Sequence, residues 1–282
     1  MRWSPGGERS RDIEDRRGAG MGGRGTLGIG GVAILFVLSL IFGRDLVSPV
    51  LQQQQAQAPQ QSSGEAPLQT TPEEEAKVDE IGKILDDLQL TWGRLLGNRY
   101  ERSTLVLFRG ATQSSCGMGQ SAMGPFYCPG DRKVYLDLEF FDQLDRRFGA
   151  PGDFAQAYVI AHEVGHHVQT VLGVERQVRT LQQRSPSQAN GLSVLMELQA
   201  DCFAGVWGHS TAQRGILEPG DAEEGLRAAS AIGDDRMQQQ SSGRVRPESF
   251  THGSAAQRKE WLNRGLQSGE VKACDTFAAA GS

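Results

Sequence analysis

Two histidines four residues apart, with a glutamate directly after the first, form the run His162-Glu163-Val164-Gly165-His166. On a helix of 3.6 residues per turn, positions i and i+4 lie about 40° apart on one face, so both imidazoles can reach one Zn²⁺ at roughly 2.0–2.1 Å. Glu163, about 100° round the helix from His162, can reach a water on that metal. Zinc lowers the pKa of such a water to around 7 and a neighbouring carboxylate takes its proton, which is the chemistry of metal-assisted hydrolysis. The surrounding residues suit a buried helix: Phe154, Ala157, Tyr158, Ile160, Ala161, Val164 and Val168 form a broad apolar face, and Asp153 is the expected N-cap. Gly165 in mid-helix costs near 1 kcal/mol relative to alanine, which calls for a close neighbour, a second helix or a substrate strand.

A catalytic zinc takes three protein ligands. Gln169 and Leu172 stand three and six residues after His166, which excludes the three-histidine pattern HExxHxxGxxH. The alternative is a glutamate on a later helix, and the mainly apolar stretch Met196 to Trp207 carries Glu197 and Asp201 four apart on one face. Buried acids are paired or metal-bound. Glu197 is therefore the candidate third ligand, and Asp201 the hydrogen-bond acceptor that orients a ligand histidine; an exposed carboxylate pair is the plainer alternative.

HEVGHH at 162–167, ELQADCFAG at 197–205, RDIEDRRG at 11–18, GPFYCPGDRKVYLDLEFF at 124–141 and THGSAAQRKEWLNRG at 251–265 together resemble the bacterial putative neutral zinc metallopeptidase family. The resemblance spans nearly the whole chain except 52–76. It implies an α+β, zincin-like fold, metal ligands His162, His166 and Glu197, and Glu163 as general base. The ELQAD run is similar to the ExxAD of membrane-associated zinc peptidases. Substrate identity is no part of what the resemblance brings.

Other elements must position this machinery. Thr71-Pro72-Glu73-Glu74-Glu75 reads as an N-cap, an N1 proline and an acidic first turn. Val78, Ile81, Leu85, Leu88, Trp92 and Leu95 then recur at spacings of 3 and 4, predicting an amphipathic helix that ends near Gly97. Strands are expected at Thr104–Phe108 and Arg132–Leu138, followed by a helix over Phe140–Phe148. An edge strand beside a metal can bind an extended peptide by adding it as a further strand. That makes 133–137 the candidate cleft wall, although it could equally only complete the sheet. The developing oxyanion also needs a donor. Of five histidines two are ligands, so His252 is the leading candidate, with Tyr135 and Arg258 behind it; His167 and His209 read as structural.

With 38% hydrophobic and 22% charged residues, the chain has an ordinary globular balance. Gly25 to Gly43 is 19 residues without a charge, between Arg24 and Arg44, long enough to span a hydrocarbon core of roughly 30 Å. A signal peptide is the competing reading, but Ala56-Gln57-Ala58 lies far beyond the apolar run. Six arginines in residues 1–24 predict a cytoplasmic N-terminus and a catalytic domain in the bacterial cell envelope. The expected organisation is a basic tail at 1–24, a transmembrane helix at 25–43, a flexible Gln/Pro/Ser-rich linker at 44–70 and a zinc metallopeptidase domain at 71–282. Beyond Arg44 there are 22 basic and 30 acidic residues, a balance that argues against nucleic acid as a partner. All four cysteines follow the apolar segment, and of three possible pairings Cys116–Cys128 and Cys202–Cys274 are expected.

The reading is a membrane-anchored zinc peptidase acting on peptide or protein substrates, mostly helical with a small sheet, with Glu163 as base. A zinc hydrolase of a non-peptide envelope amide and a non-catalytic envelope scaffold are the alternatives. Glu163 counts against the scaffold, because a structural site has no use for a base and prefers four protein ligands.

Overall fold

The structure is a computed structural model that describes residues 1–3, 8–18 and 68–279. Residues 1–17 and 69–282 make one folded unit and 18–68 a second, of which only Gly18 and Leu68 are described. The expected membrane helix at 25–43 and nearly all of the linker at 44–70 therefore lie outside the described residues. Among the described residues, no helix is long and apolar enough to cross a membrane.

The first unit begins with strand β1 (Ile13–Asp15) and continues after the second unit with helix α1 (Pro72–Leu96). Thr71 caps α1 by accepting a hydrogen bond from Glu74 N at 3.2 Å, and Glu73, Glu74 and Glu75 sit at the positive end of the helix dipole. Val78, Ile81, Leu85, Leu88 and Trp92 are buried as their spacing requires. Leu95 is not: the helix turns Leu96 inward and leaves Leu95 exposed.

Strands β2 (Thr104–Phe108), β3 (Ala111–Ser114), β4 (Gly117–Gln120), β5 (Phe126–Cys128) and β6 (Lys133–Asp137) follow. The main sheet has the order β1-β2-β6-β5, with β1, β2 and β6 parallel and β5 antiparallel to β6. β3 and β4 form a separate antiparallel hairpin. Two expectations are corrected here. Strand β6, the candidate edge at 133–137, is bonded on both sides, and among the described residues the edge strands of this sheet are β1 and β5. Nor is the described part of 1–24 a detached tail. Ile13, Glu14 and Asp15 pair with Leu105, Val106 and Leu107, and the buried Arg17 bonds Asp15, Glu74 and Glu75 at 2.6–3.0 Å.

The helices are α2 (Glu139–Arg146), α3 (Asp153–Leu172), α4 (Val174–Arg184), α5 (Ala189–Gln213), α6 (Asp221–Ala231), α7 (Asp234–Ser242), α8 (Ala255–Ser268) and α9 (Thr276–Ala279). The architecture is α+β, mostly helical with a small sheet. Helix α3 starts one residue earlier than expected: Gly152 is the N-cap, Asp153 the first helical residue, and Glu224 accepts from Phe154 N at 3.3 Å. The close neighbour that Gly165 calls for is α5. A Cβ there would stand 2.9 Å from the carbonyl oxygen of Ala200, so only glycine lets α3 and α5 approach this closely. On the far side of α5, a Cβ at Gly265 would run into the carbonyl of Cys202, which brings α8 equally close. The disulfides are Cys116–Cys128 and Cys202–Cys274, the expected pairs.

Candidate metal centre and cleft

His162, Glu163 and His166 project from α3, and Glu197 and Asp201 from α5. The packing at Gly165 and Ala200 holds these two helices in contact midway along both sets. His162 Nε2 lies 3.1 Å from Glu197 Oε2 and His166 Nε2 lies 3.4 Å from Glu197 Oε1. Tetrahedral ligands at roughly 2.0–2.1 Å from a zinc ion stand about 3.3–3.4 Å from one another; the two His–Glu separations lie near that value, and the three donor atoms are all within 4.8 Å of one another. Asp201 does what its spacing suggests. Its Oδ1 accepts from His162 Nδ1 at 2.8 Å, which turns His162 Nε2 toward the shared corner.

Asp201 is fully buried and is satisfied by more than a histidine. Tyr158 donates its hydroxyl at 2.6 Å, and the buried Arg258 guanidinium from α8 clamps both carboxylate oxygens at 2.9 Å. Burial alone would raise Asp201, but Arg258 and His162 override it and hold the carboxyl at about 2. Burial opposes charge on His162 too, and Asp201 with Glu197 pushes it up to about 10. His166 is likewise raised, Glu197 outweighing burial, while the two imidazoles hold Glu197 well below the usual range despite its burial. The opposite shifts have one cause, the close approach of two imidazoles to two carboxylates, which favours the charged form of each.

His162, His166 and Glu197 open onto a cleft of about 680 Å³. Phe126 and Tyr127 of the edge strand β5 form one wall together with Phe140 and Phe148, and Glu163 lines its floor. Glu163 is buried, and among the described residues its carboxylate has no hydrogen-bond or ion-pair partner. His252 stands in the wall, half exposed. Asp234, at the start of α7, holds it: Oδ2 accepts from the backbone N of Thr251, His252 and Gly253 at 2.7–3.2 Å, and Oδ1 meets His252 Nδ1 at 3.2 Å.

The weaker donor candidates fall away on geometry. Tyr135 is buried in β6, bonded to Asp131 and stacked on Phe126, and does not line the cleft. Arg258 lines the cleft, but its guanidinium is committed to Asp201. His167 is buried and structural. Its Nε2 donates to Glu101 O at 2.6 Å and its Nδ1 accepts from Tyr127, which ties α3 to β5. His209 is structural too, bonding Leu266 O. Sequence reasoning missed Asp234, Tyr158 and Gln169. Asp234 follows a glycine as a helix-start acid would, Tyr158 lies one turn before His162, and Gln169 sits three residues after His166, a position that should have flagged it as a partner of that ring.

Two histidines and a glutamate around one point, open to a cleft, are the donor set of a catalytic zinc centre. The chain belongs to the family described as "Putative neutral zinc metallopeptidase", whose model matches residues 1–277. It is 51% identical to the uncharacterized protein YpfJ of Escherichia coli K12 over 98% of this chain and 99% of that one. It is also 46% identical to the uncharacterized protein Rv2575 of Mycobacterium tuberculosis H37Rv over 69% of each chain. No solved structure matches this chain.

Proposed function

We propose that this chain is a zinc-dependent peptidase, with His162, His166 and Glu197 as the metal ligands and Glu163 as the general base. The observation that carries the proposal is Glu163 itself. A carboxylate that no hydrogen bond or ion pair engages among the described residues is free to take a proton, and here it lines an open cleft beside a three-donor corner. A structural zinc site has no need of it. The placement of the ligands on two packed helices, with a sheet edge alongside, supports a zincin-like reading of the fold.

When bound, zinc supplies Lewis acidity, activating a water and polarising the scissile carbonyl. The chain's own residues do the rest. Glu163 takes the proton of the attacking water and delivers it to the leaving nitrogen. His252, steadied by Asp234, donates to the oxygen on which negative charge develops. The edge of β5 that pairs with no strand among the described residues offers backbone groups to an extended chain, which favours a peptide over a small envelope amide. The two disulfides favour an oxidising compartment. Because β1 belongs to the catalytic unit, the N-terminal segment would accompany that unit to the same side of a membrane.

The test compares zinc content and cleavage of an unstructured protein for wild type and Glu163→Gln. One zinc per chain in both, with cleavage reduced by about 10²–10⁴-fold in the variant, is the expected result. Cleavage that survives in Glu163→Gln would overturn the assignment of the base.

A further inference from the structure

His162 has its carboxylate, but His166 must also present Nε2 and not Nδ1 to the shared corner, and among the described residues no charged group bonds its Nδ1. Its Nδ1 instead meets Gln169 Oε1 at 2.8 Å. Gln169 is fully buried, and its Nε2 lies 2.7 Å from the carbonyl oxygen of Met196 and 3.1 Å from Gln199 Oε1. Gln199, also buried, reaches the carbonyl oxygen of Cys274 with its Nε2 at 2.9 Å.

We infer that Gln169 and Gln199 are positioning residues, a hydrogen-bond relay from the Cys274 carbonyl to the His166 ring that selects the ring nitrogen left free for metal. The inference rests on His166 being a metal ligand. The direction of the relay follows from its two fixed ends. A backbone carbonyl can only accept, so the Gln199 amide must point its NH₂ at Cys274 and its oxygen at Gln169. Met196 O and Gln199 Oε1 then both require the NH₂ of Gln169, whose oxygen is left for His166. An oxygen at that place demands a proton on Nδ1, and the neutral ring then keeps its lone pair on Nε2, 3.4 Å from Glu197 Oε1. Flipping either amide would set oxygen against oxygen at a buried position. The far anchor is itself fixed, because Cys274 is bonded to Cys202, the residue after Asp201 on α5. Both histidine supports therefore converge on the segment 199–202, and the disulfide holds the C-terminal end of the relay in register.

The experiment measures zinc affinity by competition with a chelator, alongside thermal stability, for full-length wild type, Gln169→Met, Gln199→Met, the double variant and Gln89→Met. Gln89 is a control: it is equally buried and bonded to Ser103 and Tyr100, away from the cleft. Gln169→Met should bind zinc about 10–100-fold more weakly. Gln199→Met should weaken zinc binding in the same direction although it touches no ligand. The double variant should be no worse than Gln169→Met, since one relay can be broken only once. Gln89→Met should lose stability and keep wild-type affinity. Wild-type affinity in Gln169→Met, losses that add in the double variant, or an equal loss in Gln89→Met would each overturn the relay while leaving the metal site standing. A wild type that binds no zinc would remove the metal reading and the relay with it.

Discussion

His162 and His166 lie one turn apart on α3 and face one corner, yet their outer nitrogens are held by different chemistry. Behind His162 stands an ionic cluster, Asp201 clamped by Arg258 and Tyr158. Behind His166 stand two neutral amides that end on backbone carbonyls. Charge balance explains the difference. With a divalent ion in place, the carboxylates of Glu163, Glu197 and Asp201 are matched by that ion and Arg258. A further carboxylate at 169 would be a buried charge without a counterion, which is strongly unfavourable. An amide supplies the same acceptor without the charge. The ionic support makes its histidine more basic but depends on every member being present, whereas the amide support depends only on orientation.

The largest expected effect tests that dependence. Arg258→Met takes from the buried Asp201 the guanidinium that clamps both its oxygens, leaving His162 and Tyr158 as its partners, and should cost about 3–5 kcal/mol of stability, against about 1–3 kcal/mol for Gln169→Met, which strands neutral groups only. Equal losses in thermal or denaturant unfolding would erase the distinction between the two supports. Next comes the pairwise replacement Asp201→Leu with Arg258→Met. Removing both charges should recover most of the lost stability, yet zinc should still bind about 10–100-fold more weakly because His162 has lost its orienting acceptor. Chelator competition on a well-folded double variant separates these outcomes. Tyr158→Phe removes one hydrogen bond to a charge that keeps Arg258, and a loss of about 1–2 kcal/mol is expected in the same unfolding assay. A loss as large as that of Arg258→Met would mean that the hydroxyl, and not the guanidinium, compensates Asp201.

The smallest effect concerns the third histidine of the cleft, which is backed by a carboxylate like His162 but half exposed to water. The Asp234 hydrogen bond, with burial opposing it, raises His252 above its usual value of 6.5. A cleavage step that needs the protonated ring therefore persists above that usual value and declines as pH rises through the raised one. Asp234→Asn should move the decline to lower pH and leave zinc affinity unchanged. A pH profile of kcat/KM that does not shift would remove His252 from the donor role.

Much of this was legible in sequence because it is local. The HExxH spacing, the Glu197–Asp201 pair and the Thr71 cap depend on residues within one or two helical turns, where helix geometry alone sets the relationship. The disulfide pairs were anticipated, but as a choice among three. The misreadings share a cause. An alternating run such as Lys133–Asp137 states that a strand exists and not where it sits in the sheet, which is why β6 reads as a candidate edge although β5 lies outside it. Charge and an apolar neighbour made 1–24 look like a tail, while three residues at 13–15 are too few to announce a strand that forms only by pairing with β2.

By itself the sequence determined the chemistry: which side chains could hold a cation, which could take a proton, and the helical periodicity that puts each set on one face. It could not determine which helix meets which. Only the tertiary structure decided that α3 and α5 touch at Gly165 and Ala200, that Arg258 arrives from α8 to neutralise Asp201, and that a carbonyl at Cys274 orients the ring of His166. Those contacts join residues tens of positions apart, and their partners are chosen by packing and by the need to satisfy every buried polar group, conditions that exist only once the chain has folded.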